Sequence, residues 1–445
     1  MKNKLLAKRL NVSIISLFIL LTLFNIPKVG IAQTTLQTPF KMPYKTFQLE
    51  VLHGQSAIVY YQGTMYLNLT LTTELPMGTL YDPVRKVVYM AIYATYSNPS
   101  LVWGIAEINI TDFSYKIYRF PWLIDYYGYD PEHPEWGPQM YCGPVPWTIA
   151  KDDNGDLWVS ISYLATPNHP PEYRPYLAKL NITSNTLTIY YIPAGSGNDI
   201  KFHNGHIWYL TYPLLKINAT SEEIVATYPF FFDGLMEPDG DYIWITSVSS
   251  GLVTKFNTVT GTFDLNLTGF DRPLGIEATA DAVYVAENGA SDTIAVINKA
   301  TLQITRIHTG ASVTNQGPYY VLKDSAGNLW WTDNSMHFGV ITKYGVKINY
   351  QSISALNYFI SELPGNTVLF SCKGSALAGI MSSPKSPDVN NDGIVNMRDI
   401  TAIILDFNAV QGEERYKPEC DLDNNGIVNM RDVIIAILCF NKRTS

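Results

Sequence analysis

Between residues 85 and 372 short apolar runs recur, each entered through a turn signal. They read RKVVYMA at 85–91, GDLWVS at 155–160, GHIWYL at 205–210 and DYIWIT at 241–246, then DAVYVAE at 281–287, GNLWWTD at 327–333 and NTVLFSC at 366–372. Runs this short, bounded by Gly, Asp and Asn, predict strands, and no helical period appears in the region. Aligned on the central aromatic, the copies bring Tyr89, Trp158, Trp208, Trp244, Tyr284 and Trp330 into register, with Leu369 in the last. A second marker trails the runs: EINITD at Asn109, KLNITS at Asn181, KINATS at Asn218, KFNTVTG at Asn257 and VINKAT at Asn298, while TKYGVK puts Gly345 in the Asn place. From Asn181 onward the Asn residues are spaced by 37, 39 and 41 positions, the length of one four-stranded blade. Each unit offers a buried strand with an aromatic wedge and a second strand ending in a polar turn. One such sheet cannot bury both faces alone, so the units must stack around an axis. The pattern predicts an all-β, seven-bladed propeller over roughly residues 40–380.

The pattern changes at both ends. Lys2, Lys4, Lys8 and Arg9 precede an apolar stretch from about Val12 to Phe24, followed by Pro27, Gly30 and Ala32. This predicts a secretory signal over residues 1–32, too short in its apolar part for the roughly 20 residues that span a bilayer. The propeller is expected over 33–381, a linker (SSPKSP) over 382–387 and a separate small domain over 388–445. That last segment contains DVNNDGIVNMRD at 388–399 and DLDNNGIVNMRD at 421–432, each followed by an apolar helix. The spacing is that of a twelve-residue calcium loop. Asp388, Asn390 and Asp392, and again Asp421, Asp423 and Asn425, hold positions 1, 3 and 5. Gly393 and Gly426 make the sharp turn, Ile394 and Ile427 offer backbone carbonyls, and Asn396 and Asn429 stand at position 9. Asp399 and Asp432 close the sites. Calcium is a hard cation that takes 6–8 oxygens, and these two ladders supply them, predicting two Ca²⁺ sites.

Composition narrows the function. The 445 residues are 47% hydrophobic and 16% charged, against roughly 25% charged in an average domain, so disorder is excluded. Net charge is −8, and removal of Lys2, Lys4, Lys8, Arg9 and Lys28 with the signal makes it −13. An acidic chain with no basic run beyond its start is a poor partner for nucleic acid, and no second apolar span would hold it in a membrane. Four Cys exclude a disulfide scaffold. A Cys142–Cys372 bridge is open to an exported chain, whereas the helix between Cys420 and Cys439 separates that pair. The sequons at Asn68, Asn109, Asn181, Asn218 and Asn266 fit export, though Asn and Thr there also suit a turn.

Candidate recognition residues lie in two insertions. The second unit is stretched by residues 121–146 and a further segment follows at 163–176, adding Trp122, Tyr126, Tyr127, Tyr129 and Trp136 beside several carboxylates. Flat aromatics next to acids suit a glycan or peptide, and they also suit a plug for the propeller mouth. His203 and His206 flank a turn and lack a third metal ligand, so they read as hairpin residues.

GPVPWTIAKDDNGDLWVS, RPLGIEATADAVYVAENGASDTIAVINKAT and GPYYVLKDSAGNLWWTDNSMHFGVITKYG resemble blades of the virginiamycin B lyase-like (streptogramin lyase) propellers. The resemblance implies a histidine after the G/R-P pair and a glutamate after the L-W strand, with Mg²⁺ nearby. Here Val145, Leu274 and Tyr319 stand at the histidine positions, and the acid survives as Glu287, the weak catalytic candidate, and less clearly as Asp333, with Ile161 in the second blade. A proton-transfer mechanism needs a titratable group at the reacting atom, so the chain reads as leaning away from an enzyme. Loop-then-helix twice, without an entering helix, resembles a type I dockerin, a small all-α calcium-binding domain. That resemblance implies folding on calcium and docking to a cohesin on a scaffold or cell-surface protein. It also implies that loop positions 10 and 11 help choose the partner. Both copies read Met-Arg, namely Met397 and Arg398, then Met430 and Arg431, which would permit two docking orientations. The expected function is that of a secreted, extracellular dockerin-bearing propeller recognising a glycan or peptide. The alternative is a carbohydrate-active or lyase-type enzyme carried by the same module in polysaccharide breakdown.

Overall fold

Each wedge sits in the second strand of an antiparallel meander. The computed structural model describes residues 39–61, 64–68, 74–94, 104–121, 145–162, 175–192, 197–230, 232–310, 317–333, 336–353, 356–373 and 377–444. The expected signal peptide, Cys142 and the loop aromatics Trp122, Tyr126, Tyr127, Tyr129 and Trp136 lie outside these residues. Seven sheets form in chain order, with inner strands Glu74–Asp82, Val145–Lys151, Asp199–His203, Met236–Asp239, Pro273–Ala278, Pro318–Lys323 and Leu356–Leu363. Numbered in that order, they are blades 1 to 7 of a closed propeller. Blades 1 and 7 meet at the axis, where Thr79 Oγ1 and Ser361 Oγ lie 2.7 Å apart.

The wedges Tyr89, Trp158, Trp208, Trp244 and Trp330 are buried, and so is Leu369. Large flat side chains fill the widening gap between radial sheets, and burying each contributes about 2–3 kcal/mol. The D-x-x-G-x-L-W turn has a second task. Trp158 Nε1 donates to Asp152 at 2.9 Å and Trp330 Nε1 to Asp324 at 2.8 Å, and Asp239 serves Trp244 in the same way at 2.9 Å. In blade 3 the place of the Asp, six residues before the wedge in blades 2 and 6, is Phe202, and the buried Trp208 Nε1 has no acceptor among the described residues. The Asn marker ends the third strand and caps its turn. Asn181 Oδ1 accepts from the Ser184 N–H at 2.8 Å, and Asn257 and Asn298 accept in the same way although neither begins a sequon. Turn chemistry therefore accounts for the repeated Asn. His203 and His206 are likewise a cross-strand pair around Asn204–Gly205, both at positive φ as a type I′ hairpin requires.

The repeat did not foretell how the ring is closed and edged. Blade 7 takes its fourth strand, Thr64–Asn68, from the opposite end of the chain, with Leu67 facing Ala378. Ala57–Tyr61 adds a fifth strand beyond it. The preceding strands then run outside the ring: Glu50–Gln55 edges blade 1, Tyr44–Gln48 blade 2 and Phe40–Lys41 blade 3. Four blades are thus five-stranded, and the outer edge of each fourth strand is paired within the chain.

Two helices follow the last blade strand, Leu377–Ser382: α1 (Met397–Leu405) and α2 (Met430–Leu438). Among the described residues no helix is long and apolar enough to cross a membrane.

Candidate metal centre and partner-binding face

The two C-terminal repeats fold as mirror tasks of one another. Asn391 and Asn424 take left-handed φ, then Gly393 and Gly426 sit at φ 90° and 86°, a region open to glycine. That turn aims backbone N–H groups at the first acid of each loop. Asp388 Oδ2 accepts from the Gly393 N–H and Asp421 Oδ2 from the Gly426 N–H, both at 2.9 Å. Asn396 and Asn429 are helix N-caps, accepting from Arg398 and Arg431 N–H at 2.8 Å. Asp399 and Asp432 complete the capping boxes and reach back into their own loops, to the N–H groups of Asn390 and Leu422. Each loop then pairs with the chain leaving the other helix: Ile394 bridges Arg443 and Ile427 bridges Val410. This exchange gives the loops the support that an entering helix gives in an ordinary calcium hand.

The electrostatics mark the second loop most strongly. Ligand oxygens of Asp421, Asp423 and Asp432 lie within 4.8 Å of one another, and all three residues are buried. Burial, with Asp432 and Asp421 alongside, raises the Asp423 carboxyl to about 7 despite Arg431, and burial likewise raises Asp432. Three converging buried acids are unfavourable unless a cation joins them, so the donor set fits Ca²⁺. In the first loop Asp388 and Asp399 are buried as well, while Asp392 is more open and faces Arg398 at 4.0 Å. Asn390, Asn396 and the Ile394 carbonyl would complete that shell, as Asn425, Asn429 and the Ile427 carbonyl would in the second.

The module is not hung on a free tether. Its core residues Val395, Ile400, Ile403, Leu422, Val428 and Val433 are continuous with Trp330, Phe338, Val340 and Tyr350 of blade 6. Residues of the expected linker are pinned. Ser383 is buried and donates to Asp324 Oδ2 at 2.8 Å, and Lys385 N–H donates to the Leu422 carbonyl at 2.9 Å. Tyr350 Oη donates to the Asp423 carbonyl at 3.1 Å. The recognition pairs then diverge. Arg431 lies 3.1 Å from Asp423 Oδ2, donates to the Asn349 carbonyl at 3.0 Å and covers the Tyr350 ring. Among the described residues the Arg398 side chain has only the 4.0 Å approach to Asp392. Met397, Ile404 and Leu405 on α1, and Met430, Ile434, Ile437 and Leu438 on α2, are exposed.

In the propeller, Glu287 is fully buried and already engaged. Arg306 Nε and Nη2 lie 2.9 and 3.1 Å from its two oxygens, Asp271 N–H donates to it at 3.1 Å and Thr293 Oγ1 donates as well. Its geometry is that of an internal brace. Leu274 and Tyr319, at two of the lyase histidine positions, pack in the apolar core. A charged group that the sequence reading passed over lies near the axis. Lys201, Glu237 and Glu277 each stand opposite the wedge of their blade, on three successive inner strands. Lys201 Nζ is 3.2 Å from Glu237 Oε2. Burial, then the Glu237 charge, pushes the Glu277 carboxyl up to about 8, so it holds a proton near neutral pH. A charged residue stands seven positions before the wedge in all seven units, from Asp82 to Glu362, so position alone did not single out these three.

Together these features define a β-propeller protein carrying a duplicated calcium loop–helix module. Residues 386–437 match the dockerin type I domain, which implies calcium binding and docking to a cohesin. Two solved structures share the propeller fold. One, described as a streptogramin B lyase structure, is 16% identical with a TM-score of 0.54, covering 71% of this chain and 96% of its own. The other, described as the structure of U3-55K, is 8% identical with a TM-score of 0.52, covering 71% and 98%. Identities this low speak for the fold alone. No curated protein matches the chain.

Proposed function

We propose that the chain is an exported adaptor whose dockerin binds two calcium ions and mounts the propeller on a cohesin-bearing scaffold or cell-surface protein. The duplicated loop–helix pair with its converging buried carboxylates carries this reading. Calcium lowers the cost of burying those acids, so folding of the module and cohesin docking are linked to the ion. Titration calorimetry on the full chain should give two calcium equivalents, and cohesin binding that EGTA abolishes. A chain that takes up no calcium at millimolar concentration would sink the proposal.

The propeller's part is proposed as recognition of a glycan or peptide, with Trp122, Tyr126, Tyr127, Tyr129 and Trp136 as the contact residues. Support for recognition over turnover comes from Glu287, whose oxygens are taken by Arg306, Thr293 and Asp271. Retention on immobilised polysaccharides, lost in Trp122→Ala and Trp136→Ala, tests it. Product release from those polysaccharides would establish the carbohydrate-active alternative instead, with the protonated Glu277 beside Lys201 and Glu237 as the acid to remove first.

A further inference from the structure

Letter-for-letter identity of GIVNMRD in the two loops makes the dockerin, taken by itself, a module with two equivalent faces. The propeller removes that equivalence. Arg431 is committed on three sides, by the Asp423 carboxylate at 3.1 Å, the Asn349 carbonyl at 3.0 Å and the Tyr350 ring. Its loop is held from the same direction. Tyr350 Oη donates to the Asp423 carbonyl, Asn424 Nδ2 donates to the Ser383 carbonyl at 2.8 Å and Lys385 Nζ reaches the Asp421 carbonyl at 3.1 Å. No hydrogen bond from the propeller reaches residues 388–399 among the described residues. Arg398, at the matching position, has a side chain 82% exposed against 45% for Arg431.

We propose that the second repeat is the internal anchor of the dockerin and the first repeat its outward face, so that cohesin docks in one orientation, centred on Met397 and Arg398. The proposal rests on the dockerin reading above. A guanidinium engages a partner carboxylate or carbonyl through a planar fork of N–H donors. Arg398 offers that fork for the loss of a 4.0 Å approach to Asp392, whereas Arg431 must first give up its bond to blade 6 and its aromatic face. A flanking apolar strip, Ile404 and Leu405, lies on the same helix as Arg398 and is exposed.

The test uses the full calcium-loaded chain and a panel of recombinant type I cohesins. Against any cohesin that binds the parent chain, Arg398→Ala should weaken affinity tenfold or more, and Arg431→Ala less than twofold. Equal losses, or a greater loss for Arg431→Ala, would overturn single-orientation docking. Hydrogen exchange supplies a readout that needs no cohesin. Arg431→Ala should speed exchange in Lys347–Gln351 and in loop 421–426 at least fivefold, and Arg398→Ala should leave both unchanged. Unaltered exchange in Arg431→Ala would remove the anchor. If no cohesin of the panel binds the parent chain, the docking partner falls, while the exchange comparison still decides whether the repeats are unequal.

Discussion

The propeller and the calcium module both bury carboxylates, and they neutralise them by opposite means. In the propeller Glu287, Asp82 and Glu107 are answered from within the chain. Glu287 is held by Arg306, Asp82 by Lys151 at 2.6 Å, and Glu107 by Tyr118 at 2.9 Å with Arg85 and Lys116 beside it. In the second loop of the module, Asp421, Asp423 and Asp432 converge, and among the described residues Arg431 is the one basic side chain in ion-pair contact. The difference teaches where each region draws its stability. Apolar wedges and internal pairs hold the propeller together, while the converging acids of the module call for a cation.

Calcium removal breaks the comparison most sharply. In EGTA the two helices should melt while the propeller persists, giving a loss of helical circular dichroism with the β signal retained and reversal on adding calcium. Asp432→Ala should abolish the tighter part of calcium uptake, since it also strips three backbone N–H groups of their acceptor. A single cooperative loss of both regions in EGTA would show that the shared core around Tyr350 couples them fully.

Next in size is Arg306→Ala, which leaves the buried Glu287 without its cation, on the Asp271 N–H and Thr293 alone. Denaturant unfolding should show a loss of about 2–4 kcal/mol in the propeller transition, tempered by the half-open position of Arg306. Glu277→Gln addresses the axial acid. Its folded pKa of about 8 lies above the ordinary glutamate value. Stability from the neutral form is therefore complete below about pH 4.5 and drains away as pH rises to about 8. Glu277→Gln should flatten that slope and stabilise the protein at pH 8 by roughly 1–2 kcal/mol, read from melts across the range. Smallest is the wedge pair. Trp330→Phe forfeits the hydrogen bond to Asp324, and Trp208→Phe removes an N–H that has no acceptor among the described residues, so the former should cost about 1 kcal/mol more.

Much of this was legible in residue order because local periodicity encodes it. The wedges, the Asn turns and the His203–Asn204–Gly205–His206 hairpin depend on neighbours within a few positions, and each folds as its local sequence predicts. The calcium loops are likewise local, twelve residues that contain their own donors and caps. Glu287 was harder to read. Its place after the L-W strand was visible, but Arg306, which turns it into a brace, comes from another strand of the blade. The Lys201–Glu237–Glu277 group escaped because its members lie far apart in the chain and meet only near the axis.

The sequence by itself determined the number of blades, the strand that carries each wedge and the donor ladder of each calcium loop, because those follow from short-range pattern and side-chain chemistry. Ring closure by Thr64–Asn68, the outer strands from 40 to 61 and the unequal fates of Arg398 and Arg431 belong to the tertiary structure. Two identical heptapeptides cannot differ in anything they encode locally. They differ here because Arg431 of one packs against Asn349 and the Tyr350 ring, whereas Arg398 of the other stands 82% exposed.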